Sequence, residues 1–164
     1  MTLQIIECPQ FTQEFCDEIV GAFDAFENRR FTDRSEGNTL YRTVDRVKAS
    51  YRSMVNLDIP KDLREKLIRA APKCGNFLEE VIVNKYEPGD YIPKHIDSHQ
   101  YPKFCVVPLV ERGDGFSAYF DGPKGEESFY EDVLGTGILV TGNKLVHEVK
   151  PVKHKRYIVL YLYL

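Results

Sequence analysis

The chain has 164 residues, 43% of them hydrophobic and 29% charged, with a formal net charge of −3. That length suits one domain with its own core, and the apolar fraction excludes a disordered chain. No apolar run approaches the roughly 18 residues of a membrane helix, and residues 1–7 lack both a basic leader and a long apolar stretch, so no secretory signal is read.

In chain order, the first third reads helical. Thr12 is placed to cap a helix whose Phe15, Ile19, Phe23 and Phe26 recur at spacings of 4, 4 and 3, one buried face. A second helix starts after Pro60, with Leu63, Leu67 and Ala70 or Ala71 on one face, and stops near Pro72 and Gly75. Between them residues 29–58 are basic and irregular, with short strands expected around 39–47. From residue 79 the pattern changes to eight short β-type runs, at about 79–86, 91–97, 104–111, 116–121, 126–133, 136–141, 145–150 and 155–163, separated by Pro-Gly, Gly-Asp-Gly, Asp-Gly-Pro and Thr-Gly-Asn turns. Ten Phe and ten Tyr fit that β character. The expected architecture is mainly β (α+β). It is a sandwich or double-stranded β-helix (jelly-roll) barrel with the N-terminal helices packed on one sheet. The final run, nearly all apolar or aromatic, is expected to be a central strand. Residues 1–164 form a single domain in this reading, with 1–78 as helical support and substrate-side segment and 79–164 as the β core.

Charge is unevenly spread. Residues 1–28 carry six acids and no Lys or Arg, residues 29–69 eleven Lys/Arg against six acids, and residues 111–132 two Lys/Arg against seven acids. The basic block reads first as a solvated face; a nucleic-acid protein is usually more basic overall. Cys8, Cys16, Cys74 and Cys105 form no CxxC and no zinc-finger spacing, so they read as reduced thiols in a cytoplasmic protein, with Cys105 a small core residue.

The chemistry-bearing residues lie in the β half. His95 and Asp97 are two apart, so on a strand they share a face. His147 follows 52 residues later and Arg156 nine residues beyond that. Two histidines and one carboxylate make the facial triad of non-haem iron sites, which leaves three coordination positions for a bidentate keto acid and O2. Arg156 offers a planar, permanently charged fork to a carboxylate. Each part alone has an ordinary structural explanation: a hydrogen-bonded core histidine, a Pro-Gly-Asp turn, an arginine paired with a surface acid. Their order and spacing on eight strands join them into one site.

The segments Asn84-Lys85-Tyr86-Glu87-Pro88-Gly89-Asp90, His95-Ile96-Asp97 and His147-Glu148-Val149-Lys150-Pro151-Val152 running to Arg156-Tyr157 resemble the Fe(II)/2-oxoglutarate-dependent dioxygenases, within them the prolyl 4-hydroxylase-like branch. The resemblance covers about residues 79–164. It implies iron held by His95, Asp97 and His147, with 2-oxoglutarate on Arg156 and Tyr86. O2 is then the co-substrate, ascorbate an accessory reductant, and the reaction a hydroxylation that releases succinate and CO2. It also implies a protein or peptide substrate, proline among the candidates, met by Tyr41, Arg42, Arg46, His99 and Tyr101 at the barrel mouth. There are departures. Leu109 is expected where the hydroxylases often carry a cofactor-contacting Tyr, and the usual Gly after Pro151-Val152 is absent. Asn84-x-Tyr86-x-Pro88-Gly89-Asp90 also matches AlkB-type demethylases of DNA or RNA, the runner-up, although no Arg follows Arg156 as their pattern requires. An iron-free jelly-roll binding module and a zinc hydrolase are the remaining rivals. No membrane partner is expected, and the chain is expected to be a monomer or weak dimer.

Overall fold

The structure, a computed structural model, describes residues 1–35, 49–75, 77–97, 101–112, 114–142 and 144–164, and the main chain of 41–43. Among these residues the order is β1 (Thr2–Glu7), α1 (Gln13–Asp24), β2 (Thr32–Asp33), β3 (Tyr41–Thr43), β4 (Arg52–Val55), α2 (Lys61–Ala70), β5 (Leu78–Tyr86), β6 (Ile92–Asp97), β7 (Lys103–Pro108), β8 (Gly115–Tyr119), β9 (Ser128–Glu131), β10 (Thr136–Thr141), β11 (Val146–Val149) and β12 (Arg156–Tyr163). No described helix is long and apolar enough to cross a membrane.

The strands pair antiparallel into a larger sheet ordered β1-β10-β7-β12-β5-β4-β2 and a smaller one ordered β3-β6-β11-β8-β9. The eight strands expected after residue 79 are all present. The first third is not purely helical, however: β1 pairs with β10 and β4 with β5, so both extend the larger sheet. β1 was hidden because its burial is low and its pattern irregular, so the period-two signal is weak. Strand β3 lies inside the expected 39–47; the rest of that segment is outside the described residues.

β12 shows why its sequence reads as continuously apolar. It sits at the centre of the larger sheet, between β5 and β7, and both its faces are covered. Tyr157, Val159 and Tyr161 point to a core shared with the helices, and Ile158 and Leu162 to a second core between the sheets. The same alternation places Val81 and Val83 of β5, and Cys105 and Val107 of β7, on the helix side, with Ile82, Tyr86 and Phe104 inside.

Helix α1 begins where Thr12 Oγ1 accepts the Phe15 amide at 3.2 Å, and it buries Cys16, Ile19 and Phe23. Phe26 lies beyond the helix end but packs edge-on to Phe23 at 5.9 Å between centroids, so it still serves the same core. Helix α2 buries Leu63, Leu67 and Ala70, while Ala71 is its C-cap. Tyr161 donates its hydroxyl to the Leu67 carbonyl at 2.6 Å, fastening the helix to the central strand.

The Pro88-Gly89-Asp90 turn follows β5. Gly89 takes φ +93°, a region a side chain disfavours. Asp90 closes the turn by accepting the Glu87 amide at 2.8 Å, and it accepts the Ser50 hydroxyl at 2.8 Å. The turn thereby fixes the end of β5, where Tyr86 sits.

Candidate metal centre and pocket

The two sheets enclose a pocket. His95, Asp97 and His147 face it from the smaller sheet; Asn84, Tyr86 and Arg156 face it from the larger. Strands β6 and β11 are neighbours, with His147 directly opposite His95, so two residues 52 apart in sequence become cross-strand partners. Asp97, two residues on from His95, shares its face.

Three donor atoms, one from each of His95, Asp97 and His147, lie within 4.8 Å of one another. Asp97 Oδ1 is 3.3 Å from His95 Nε2 and 3.5 Å from His147 Nε2. Adjacent ligands of an octahedral ion with bonds of about 2.1 Å stand about 3 Å apart, so this donor set fits such an ion with little adjustment. The outer nitrogens support the fit. His95 Nδ1 is 2.8 Å from the Pro93 carbonyl, and His147 Nδ1 is 2.9 Å from the Leu145 carbonyl. A carbonyl only accepts, so each Nδ1 carries a proton, and in the neutral ring that leaves the Nε2 lone pair facing the cluster. The rings of Phe104 and Phe116, centroids 6.0 and 6.2 Å from that of His147, wall this region with apolar surface.

The other end of the pocket is cationic and aromatic. Arg156 is 2% exposed, and its guanidinium carbon lies 5.0 Å from the Tyr86 ring centroid. Tyr86 stacks on Tyr51 at 5.5 Å and 14°. Behind the pocket Arg156 donates through Nε to Asp132 Oδ2 at 2.6 Å and through Nη2 to Asp132 Oδ1 at 3.0 Å, a bidentate pair. Burial is the largest influence on both groups. It pushes the Asp132 carboxyl up, with Arg156 pulling it back. It opposes the Arg156 charge, but Asp132 more than offsets that and holds the guanidinium above its ordinary range. Of the five guanidinium N–H donors Asp132 takes two, leaving three for the pocket side. Asn84 is 9% exposed, and its side-chain amide has no hydrogen-bond partner among the described residues, so the pocket wall carries a buried polar group that can bond to whatever fills it.

His95, Asp97, His147, Tyr86 and Arg156 are therefore brought together around one pocket. Of the substrate-side residues only Tyr101 has a described side chain, and it is not among the residues lining the pocket. Tyr101 is half-buried against the inner core, its hydroxyl pushed up by burial and by Glu80. Arg46 and His99, and the side chains of Tyr41 and Arg42, lie outside the described residues. Leu109 is a correction: it packs in the helix-side core, not at the pocket. The pocket-facing residues of β7 are Phe104 and Val106; counting a strand's face from one residue too far reverses every side chain. Asp132 was missed, since nothing in sequence separates it from the six other acids of 111–132. Ser53 and Arg34, which also line the pocket, gave no signal beyond membership of the basic block.

No family model matches the chain, and no curated protein does. Solved structures do share its fold. A Pseudomonas putida prolyl-4-hydroxylase superposes with a TM-score of 0.64 at 13% identity, covering 98% of this chain and 91% of its own. A prolyl hydroxylase from Trichoplax adhaerens, in complex with a hypoxia inducible factor oxygen degradation domain peptide fragment, gives 0.65 at 14% identity, covering 98% and 83%. The viral collagen prolyl hydroxylase of Paramecium Bursaria Chlorella virus-1, a 2OG complex, gives 0.57 at 19% identity, covering 99% and 95%.

Proposed function

We propose that this chain is an Fe(II)- and 2-oxoglutarate-dependent dioxygenase of the prolyl 4-hydroxylase-like kind, hydroxylating a peptide or protein side chain, with proline the first residue to test. The observation that carries the reading is the meeting of His95 Nε2, His147 Nε2 and Asp97 Oδ1 in a pocket that also holds the buried Arg156. The shared fold supports it. We take residues 1–164 as one domain, its two sheets a double-stranded β-helix, and its four unpaired thiols as suited to the cytoplasm.

In this reading His95, Asp97 and His147 hold the iron, and Arg156 and Tyr86 hold the distal carboxylate of 2-oxoglutarate. When bound, the two groups supply oxygen activation and C–H hydroxylation, with succinate and CO2 released. The chain's own contribution is positional. The Pro93 and Leu145 carbonyls lock the imidazole tautomers. Asp132 locks the Arg156 fork. Phe104, Phe116 and Ile158 line the pocket with apolar surface, which would disfavour water there.

The test starts without oxygen. Titrating Mn(II) and then 2-oxoglutarate by calorimetry should show one metal per chain and 2-oxoglutarate binding that depends on it. His147→Ala should lose the metal and keep its unfolding temperature. Admitting O2 to the protein loaded with Fe(II) and 2-oxoglutarate, with proline peptides present, should then add one oxygen to a peptide and release succinate and CO2. Metal binding undiminished in His147→Ala would overturn the assignment. One observation favours a second reading: Asn84 and Tyr86 of the motif shared with nucleic-acid demethylases both face the pocket. Loss of a methyl group from an oligonucleotide in the same mixture would select it. Binding should then weaken by about 0.7–0.9 log units per log unit of salt for each phosphate contacted.

A further inference from the structure

The larger sheet carries a row that crosses four strands in register. Arg156 on β12 is opposite Tyr86 on β5. Tyr86 stacks on Tyr51, the residue preceding β4. The Arg34 amide, just past β2, donates to the Tyr51 carbonyl at 2.9 Å. The row thus reads Arg34–Tyr51–Tyr86–Arg156, and both arginines line the same pocket. Strands lie about 4.8 Å apart, so three spacings put the two arginine backbones about 14 Å apart. Arg156 is in the sheet's interior with Asp132 against it, whereas Arg34 is at the sheet's β2 edge.

Around Arg34 the polar groups converge. Its Nε donates to Ser53 Oγ at 2.7 Å, and Ser53 is 1% exposed. Ser53 pairs across the strands with Asn84, whose buried amide has no partner among the described residues. Guanidinium, hydroxyl and amide all line the pocket, and all three can donate to an anion. Burying an amide with nothing to bond is costly, and a ligand oxygen would relieve that cost.

We infer that Arg34, Ser53 and Asn84 form a second anion subsite, which takes a carboxylate of the primary substrate while Arg156 takes that of 2-oxoglutarate. This rests on the dioxygenase reading and narrows it: the hydroxylated peptide presents an acidic group, a C-terminal carboxylate or an Asp or Glu side chain, beside the oxidised carbon. The planar fork of Arg34 suits a carboxylate, and Ser53 and Asn84 add directional donors that a diffuse positive surface lacks.

The test uses the full chain loaded without oxygen with Mn(II) and 2-oxoglutarate. Calorimetry compares two matched pairs: N-acetyl-L-proline against its methylamide, and blocked Pro-Asp against blocked Pro-Asn. Inorganic phosphate is a separate arm. In at least one pair the acid should bind at least tenfold tighter than its neutral partner. Arg34→Gln should reduce that preference below twofold and leave 2-oxoglutarate affinity within twofold. Arg34→Lys, which keeps the charge, should retain part of the preference and answers the question if Arg34→Gln unfolds. A wild-type protein without carboxylate preference in either pair, absence of binding included, would overturn the subsite, as would a preference untouched by both variants. Phosphate binding tighter than every carboxylate would replace the carboxylate by a phosphate-bearing substrate. If Mn(II) or 2-oxoglutarate fails to bind, the dioxygenase reading falls, and the metal-free protein still reports whether Arg34 sets a carboxylate preference.

Discussion

Arg156 and Asp132 show how one buried contact serves both stability and binding. Each is nearly excluded from water, and neither could keep its charge there alone. Removing one partner therefore costs more than the pair itself is worth. Asp132→Asn should destabilise the fold by about 3–5 kcal/mol, since it strands the guanidinium. Urea unfolding measures it, and a loss under 1 kcal/mol would mean that Arg156 finds another partner. Arg156→Lys keeps a charge but gives up the two-pronged contact with Asp132 and the fork offered to the pocket. Under the proposed function its 2-oxoglutarate affinity should fall by about 1–3 kcal/mol, read by calorimetry in the presence of Mn(II); equal affinity would separate Arg156 from the proposed cofactor. The two histidines were legible because their spacing on strands fixes their faces. Asp132 was not, because a side chain reaching Arg156 from a loop 24 residues upstream follows no local period.

At the scale of elements, legibility tracked the strength of the local pattern. β5 through β12 are bounded by turn residues and alternate or run apolar, and that is enough to place them. α1 declares itself through Thr12 and its apolar spacing. β1 is an edge strand with most of its side chains exposed, and β4 is short, so both depend on partners far along the chain. The Leu109 reading failed for a related reason: the strand was known, but its face depends on a parity that only the pairing with β12 sets. α1 offers a test of how much the helix layer contributes. Phe23 is fully buried, with ring centroids 6.2 Å from Tyr157 and 6.3 Å from Phe31. Phe23→Ala should cost about 3–5 kcal/mol by leaving a cavity. Chemical denaturation should show the midpoint falling with little change in slope, and a loss under 1 kcal/mol would mean that the helix is only loosely docked.

Over the whole molecule, the start of β12 ties the helix layer to the pocket. Arg156 faces the pocket; Lys155 and Tyr157 on either side reach Asp24 in the last turn of α1, at 2.9 and 2.8 Å. Partial burial raises the Asp24 carboxyl, but Lys155 and Tyr157 outweigh it and hold it below its ordinary 3.8. The Tyr157 hydroxyl is pushed well up, by burial and by Asp24, so it stays a donor throughout the working range. A carboxyl depressed by folding stabilises the native state at pH above its unfolded value, and the gain disappears as pH falls through the folded one. The contribution of this link is therefore complete above about pH 5 and fades progressively below 3.8, as pH approaches the still lower folded value. The Asp24 side chain is 36% exposed, so solvent screening limits the gain to about 0.5–1 kcal/mol. Asp24→Asn should be less stable than the parent by that amount at pH 7, and the gap should narrow towards zero near pH 2.5 in urea unfolding followed at both pH values. A gap that persists unchanged in acid would show that the carboxylate charge does not hold α1 to the strand that carries Arg156.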